Sequence, residues 1–299
     1  LLLSLLSVYF FVLLGVLSKV FFKDKIDSKT VTLLSVYFLQ PFLTFWGLTK
    51  EKIDSSLIEA PLIYLAIVLS MLFVLYFVSF LIFSNRKERN VFTIASLIGN
   101  TGNLGIPLGI ALFGEISIPY TTLINIANVF VVYSFGTYFY SRGNFDALKS
   151  LLNVVKIPIL WAAVFAIIVN IYSFHIPSYI ENSLKMGAYA SIVIQLMLFG
   201  IYLYSVKIKS INLKLTVFTV IVKFIVLPLV TYAVLSYLSI EPLLKGILLM
   251  SLMMPLAVAN INLAALYDSL PKEVTALIFI TSILFLGYFM LVVPILKGF

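Results

Sequence analysis

The chain has 299 residues, 62% of them hydrophobic and only 11% charged, with a mean hydropathy of +1.14, which excludes a soluble globular domain. With no cysteine, disulfides, thiolate metal sites and cysteine nucleophiles are excluded as well. A net charge of +8 would suggest nucleic acid in a soluble protein, but here the basic residues sit in short loops between apolar runs and report topology, so no nucleic-acid partner is expected.

Runs of about 20 apolar residues, the length needed to cross a bilayer, recur from one end to the other. The predicted fold is an all-α polytopic membrane protein with ten transmembrane helices. In chain order they are Leu2–Phe22, Ser28–Leu48, Pro61–Phe83, Val91–Phe113, Pro119–Tyr140, Val154–Tyr172, Ser183–Val206, Leu213–Leu238, Leu243–Leu266 and Val274–Leu296. Leu1–Val20 lacks a basic n-region and a small-residue cleavage site, so it reads as a span rather than a signal peptide. The longest loop, Ser141–Asn153, is the seam between two five-helix halves. The expected organisation is therefore a first repeat over residues 1–140, a short cytoplasmic linker over 141–153 and a second repeat over 154–299.

Orientation follows from the basic residues. Fourteen lysines and arginines fall on the side of the loops after segments one, three, five, seven and nine, against five on the other: Lys50, Lys52, Lys185, Lys245 and Lys297. The positive-inside rule puts the first set in the cytoplasm and both termini on the extracytoplasmic side of the cell membrane. An odd number of spans per half makes the second half inverted relative to the first, a signature of many secondary transporters when both halves carry an interrupted helix. Segment four contains Gly99-Asn-Thr-Gly-Asn-Leu-Gly-Ile-Pro107 and segment nine contains Met254-Pro-Leu-Ala-Val-Ala-Asn260-Ile-Asn262. Glycine costs about 1 kcal/mol and proline about 3 in a helix interior, so each stretch predicts a break. Backbone freed at membrane depth must be buried in protein or line a wet cavity.

The polar groups at these breaks are the candidate substrate site: Asn100, Asn103 and Pro107 in the first, Pro255, Asn260 and Asn262 in the second. The asparagines offer amide donors and acceptors, and capping of the half-helices is their structural alternative. Half-helices starting near Pro107 and Pro255 would aim positive dipole ends at the site. Lys223, nine residues after Lys214 in segment eight, lies ~13 Å deep at ~1.5 Å per residue, where a charge is costly and marks function by default. Its alternative is a lysine satisfied by carbonyls freed at a break. Asn125, Asn128 and Gln195 are secondary candidates, since such residues commonly bond between helices. All twelve acidic residues fall in loops or at span ends, and the one histidine, His175, is in a loop. No metal site, cofactor or catalytic grouping is therefore expected, and the chain does not read as an enzyme.

The two broken stretches resemble the fourth-helix and ninth-helix motifs of the auxin efflux carrier family, the second in its Met-Pro-x-Ala-x-x-Asn pattern at Met254–Asn260. Pro41 late in segment two, and Lys223 five residues before Pro228, add to the likeness, which covers nearly the whole chain. The resemblance implies a scaffold domain and a transport domain whose broken helices four and nine cross at their prolines, a fold similar to bile acid–sodium symporters. It implies that Asn100, Asn103, Pro107, Pro255 and Asn260 form the substrate crossover, with Lys223 a basic position near it. The large cytoplasmic loop of the plant carriers is absent, and so is the intramembrane acidic residue of the sodium symporters. The expected function is alternating-access transport, in the efflux direction, of a small organic anion such as an auxin-like or dicarboxylic acid. Proton- or sodium-coupled symport or antiport is the alternative on the same fold, and a non-transporting receptor or scaffold the alternative of another class. The expected partners are the organic anion and the lipid bilayer, with a homodimer through the scaffold domain compatible with either.

Overall fold

Each hydrophobic segment folds as helix because lipid offers no partner for backbone N–H and C=O groups. The structure, a computed structural model, describes residues 2–50, 57–204 and 211–296. The loop residues Lys52, Lys207, Lys209 and Lys297, which contribute to the orientation, lie outside the described residues, as do the side chains of Asn103 and Pro107.

Among the described residues thirteen helical pieces follow in order: α1 (Leu2–Phe22), α2 (Ser28–Thr49), α3 (Glu59–Ile82), α4 (Arg86–Ala95), α5 (Ile106–Phe113), α6 (Ile118–Arg142), α7 (Ala147–Val155), α8 (Pro158–Ile171), α9 (Ser178–Tyr204), α10 (Leu213–Tyr237), α11 (Pro242–Leu252), α12 (Ala259–Leu266) and α13 (Pro271–Leu296). Among the same residues no strand forms; one isolated antiparallel bridge is the sole extended pairing. Six of the helices, α2, α3, α6, α9, α10 and α13, are long and apolar enough to cross a membrane. Counting α7 with α8, bent by 48°, as one broken span raises the number to seven. The expected fourth and ninth segments appear as pairs of shorter pieces, α4 with α5 and α11 with α12.

Two boundaries differ from the sequence expectation. The linker 141–153 is not a plain loop, because α6 runs to Arg142 and α7 begins at Ala147, capped by the Asp146 carboxylate, which accepts from the Lys149 backbone N–H at 2.7 Å. The helix expected from Val154 begins instead at Pro158, since proline pushes the preceding Ile157 into an extended conformation and ends α7 first.

Wide, π-type turns interrupt α2 at Ser35–Leu39, α6 at Val132–Gly136 and α10 at Val222–Val226. In α2 and α10 a proline, Pro41 or Pro228, follows two residues later, and its missing N–H loosens the hydrogen-bond ladder at that point. The Gln40 N–H accordingly reaches the Ser35 carbonyl, and the Leu227 N–H the Val222 carbonyl.

The helices sort into two packed groups. α1 and α9 pack closely, as do α2 and α8, and α2 and α9 join these pairs. The α1–α9 seam depends on small residues. A Cβ at Gly15 would fall 2.0 Å from the Met197 carbonyl oxygen, and one at Gly200 1.9 Å from that of Val12. Between helices in lipid the driving force is close packing rather than water exclusion, which suits glycine at such a seam. The second group holds α3 to α6 and α10 to α13, with α3 against α6 and α11, and α4 against α10. The interrupted pairs lie inside this second group.

Candidate functional site

The first break follows from the run after Ala95. The α4 helix closes with the Leu97 and Ile98 N–H groups both donating to the Ile94 carbonyl, at 3.1 and 3.2 Å. Asn100 then takes φ −80° and ψ 60°, outside the helical region, and its side chain makes no capping hydrogen bond. Helical winding resumes as a wide turn over Thr101–Gly105 and runs into α5. In the second break, α11 ends at Leu252, Pro255 supplies no N–H, and α12 starts at Ala259. The second outgoing half-helix therefore begins four residues later than Pro255, the start expected from the sequence.

The two breaks satisfy each other. Asn100 N–H donates to the Pro255 carbonyl at 2.8 Å and Ala257 N–H to the Ile98 carbonyl at 3.1 Å, around the Gly99–Leu256 bridge. Asn260 clamps this pairing. Its Nδ2 donates to the Ile98 carbonyl at 3.3 Å and the Ala257 carbonyl at 2.9 Å, while its Oδ1 accepts from the Tyr140 hydroxyl at 3.0 Å. Leu256 N–H donates to the Thr281 hydroxyl of α13 at 3.3 Å. Orphan backbone groups that would be costly in lipid are thus paired across the crossover.

A cavity of about 350 Å³ opens against one side of this pairing. Residues 99–102 and 257–259, the approaches to both outgoing half-helices, form part of its wall. Gln40, Thr44 and Gly47 of α2, Thr122, Asn125 and Asn128 of α6, and Gln195 of α9 complete it together with apolar side chains. No charged side chain lines it among the described residues. Its position between α2 and α9 on one side, and α6 and the crossover on the other, puts it at the junction of the two helix groups. Asn128 donates through Nδ2 to the Gly99 carbonyl and the Thr101 hydroxyl, both at 2.9 Å, and accepts from the Tyr64 hydroxyl at 3.0 Å. Thr101 in turn donates to Asn125 Oδ1 at 2.9 Å. Across the cavity, the Tyr133 hydroxyl donates to Gln40 Oε1 at 2.5 Å, and Gln40 Nε2 donates to Ser35.

The predicted site residues divide. Asn100, Asn125, Asn128 and Gln195 line the cavity; Asn260, Asn262, Pro255 and Lys223 do not. Lys223 is fully buried and its Nζ has no hydrogen-bond partner. It abuts Gly99: a Cβ there would lie 3.1 Å from Lys223 Nζ and 3.4 Å from the Met254 carbonyl oxygen. The Nζ therefore sits beside the backbone just past the end of α11, a place of partial negative charge. Asn262 is also fully buried, with neither its Nδ2 nor its Oδ1 bonded. The backbone of Asn103 and Pro107 belongs to the wide turn and to α5. Gln40, Tyr133 and Thr101, which are not among the candidates expected from the sequence, also line the cavity. Gln40 had a signal, a lone amide inside an apolar segment and next to a proline.

The family described as membrane transport protein matches residues 1–293. The chain belongs to this family. It is the family the two broken-helix motifs resemble, with auxin efflux carriers among its members. An uncharacterized transporter of Methanocaldococcus jannaschii is 29% identical over 287 residues, which span 93% of this chain and 92% of that relative. The chain is a membrane transporter with several membrane-crossing helices.

Proposed function

We propose that this transporter is a secondary carrier that exports a small organic anion, an auxin-like or dicarboxylic acid, by alternating access around the paired breaks. The observation that carries the reading is the meeting of two outgoing half-helix starts at one wall of a polar cavity. Helix N-termini present a positive dipole end, which favours a carboxylate. Asn100 and Asn125 add neutral donors, Asn128 holds the crossover carbonyl in place, and Lys223 supplies a positive field from behind Gly99. The apolar remainder of the lining suits a substrate with a hydrocarbon or aromatic body.

Two inverted five-span halves, residues 1–140 and 154–299, belong to the same proposal. It is supported by reciprocal packing: exchanging the halves turns the α1–α9 contact into the α8–α2 contact, and both are present. With the basic loops in the cytoplasm and both termini outside, the cavity extends outward, toward Leu48 and Ile118. The group holding the breaks would move against α1, α2, α8 and α9 to expose the site inward. An inside-negative potential favours outward anion movement by about 2.3 kcal/mol per charge per 100 mV, which allows export without a titrating carboxylate in the membrane.

The test is transport in proteoliposomes under an imposed potassium-diffusion potential, after a thermal-shift screen of carboxylates. Anion flux that scales with voltage and falls in Asn100→Ala is expected. Flux that ignores voltage and follows a proton or sodium gradient would overturn the export mechanism in favour of coupled transport.

A further inference from the structure

The α7 helix divides its surface three ways. Ser150 is buried against the protein. Leu148, Leu151, Leu152 and Val155, spaced i, i+3, i+4 and i+7, are 69%, 57%, 49% and 54% exposed, so the apolar stripe of this helix faces away from the protein. Lys149, Asn153 and Lys156 occupy the remaining sector, at about 100° per residue roughly a third of a turn from each of the other two. At nine residues the helix is too short to span a bilayer, and it meets α8 at a 48° bend. Trp161 Nε1 of α8 donates to the Val155 carbonyl at 2.7 Å and ties the end of α7 to the start of α8. From there the exposed side chains Trp161, Val164, Phe165 and Ile168 continue the apolar surface along α8.

We infer that α7 lies in the membrane surface as an interfacial helix and binds an anionic phospholipid leaflet. The lipid is favoured as occupant by two observations. Past the 48° bend, the apolar stripe is followed by the exposed apolar flank of α8. Basic groups outnumber acidic ones around it as well: Lys149 on α7, Lys156 at its C-terminal end, and Arg142 and Arg86, both of which donate to the Phe145 carbonyl, against Asp146, whose carboxylate caps the first turn of α7. Long basic side chains beside an apolar stripe extend to headgroups while their stems lie along the hydrocarbon boundary. The junction between the two halves of the chain is then fastened to the bilayer, and the polar loop at 143–146 is held at its surface.

The chain has no cysteine, so single-cysteine spin labelling needs no background removal. Labels are placed at Leu148→Cys, Leu151→Cys, Lys149→Cys and Asn153→Cys in the full chain, all four at the surface or partly exposed. The protein is reconstituted in phosphatidylcholine with and without phosphatidylglycerol. Labels at 148 and 151 are expected to collide several-fold more with oxygen than with a water-soluble nickel chelate, and labels at 149 and 153 the reverse. Phosphatidylglycerol is expected to deepen the first pair. Labels at 148 and 151 open to the nickel chelate, or unmoved by phosphatidylglycerol, would overturn the proposal. So would dipolar coupling between labels at 151, which would show the stripe covered by a second copy of the chain.

Discussion

The Nδ2 of Asn260 lies 3.3 Å from the carbonyl oxygen of Ile98, so an amide from the second break holds the backbone of the first. The same amide holds the Ala257 carbonyl and takes a bond from the Tyr140 hydroxyl. A residue type expected to touch substrate is here occupied with keeping two interrupted helices together. Asn260→Ala leaves buried carbonyls and the Tyr140 hydroxyl short of a partner, and should cost about 3 kcal/mol of stability. Tyr140→Phe should cost about 1 kcal/mol, and the double variant should lose less than the sum, because the two residues share a bond. Thermal unfolding in detergent of the three variants checks this.

Asn125 has a different task. Its Oδ1 is engaged by Thr101, and the side chain borders the cavity. Asn125→Ala should weaken binding of the carboxylate found by screening by about tenfold, the equivalent of one hydrogen bond to a charged group, while the melting temperature changes little. Equilibrium binding on the purified protein measures it. A large loss of stability with unchanged affinity would assign Asn125 to the crossover instead.

Gly47 lines the cavity, and a Cβ there would meet nothing within 4 Å. Gly47→Leu should therefore fold normally and fill part of the cavity, reducing both binding and flux. Gly200→Leu, by contrast, would drive a side chain into the Val12 carbonyl and should abolish folding. Size-exclusion profiles and uptake assays on the two variants separate blocked transport from lost structure.

Lys223 is fully buried and its Nζ has no hydrogen-bond partner. Burying a polar group without a hydrogen-bond partner is costly, so Lys223→Met should raise stability by about 1 kcal/mol or more. If its field serves an anion at the crossover, the same variant should slow flux at a fixed voltage. Higher melting temperature together with lower flux is the expected pair of results. Lower stability with unchanged flux would make Lys223 a structural charge.

Local chemistry makes the helical class and the interruptions legible in the chain itself. Apolar runs without backbone partners in lipid must coil, and Gly99, Gly102, Gly105 and Pro107 crowded into nine residues, like Pro255 in the second stretch, weaken a helix enough to mark a break. Gln40 and Tyr133 are not legible as a cavity pair, since one lies in α2 and the other in α6, and the contact between them exists only once the two helix groups meet. The linker also hides a helix, because its polar content reads as loop while the stripe at Leu148, Leu151, Leu152 and Val155 shows only when it is wound at helical pitch.

Composition and motif alone are enough to make this a helical membrane protein of the transporter family with two damaged helices carrying paired asparagines. They do not determine which asparagine does what, because near a break the direction of a side chain is set by the partner segment and not by its own neighbours. Only in the folded chain does Asn260 clamp, do Asn100, Asn125 and Asn128 border the cavity, and does Lys223 stand behind Gly99. Backbone N–H and C=O groups released in one break must be satisfied within the membrane. The nearest unpaired groups are those of the other break, which lies in the opposite half of the chain.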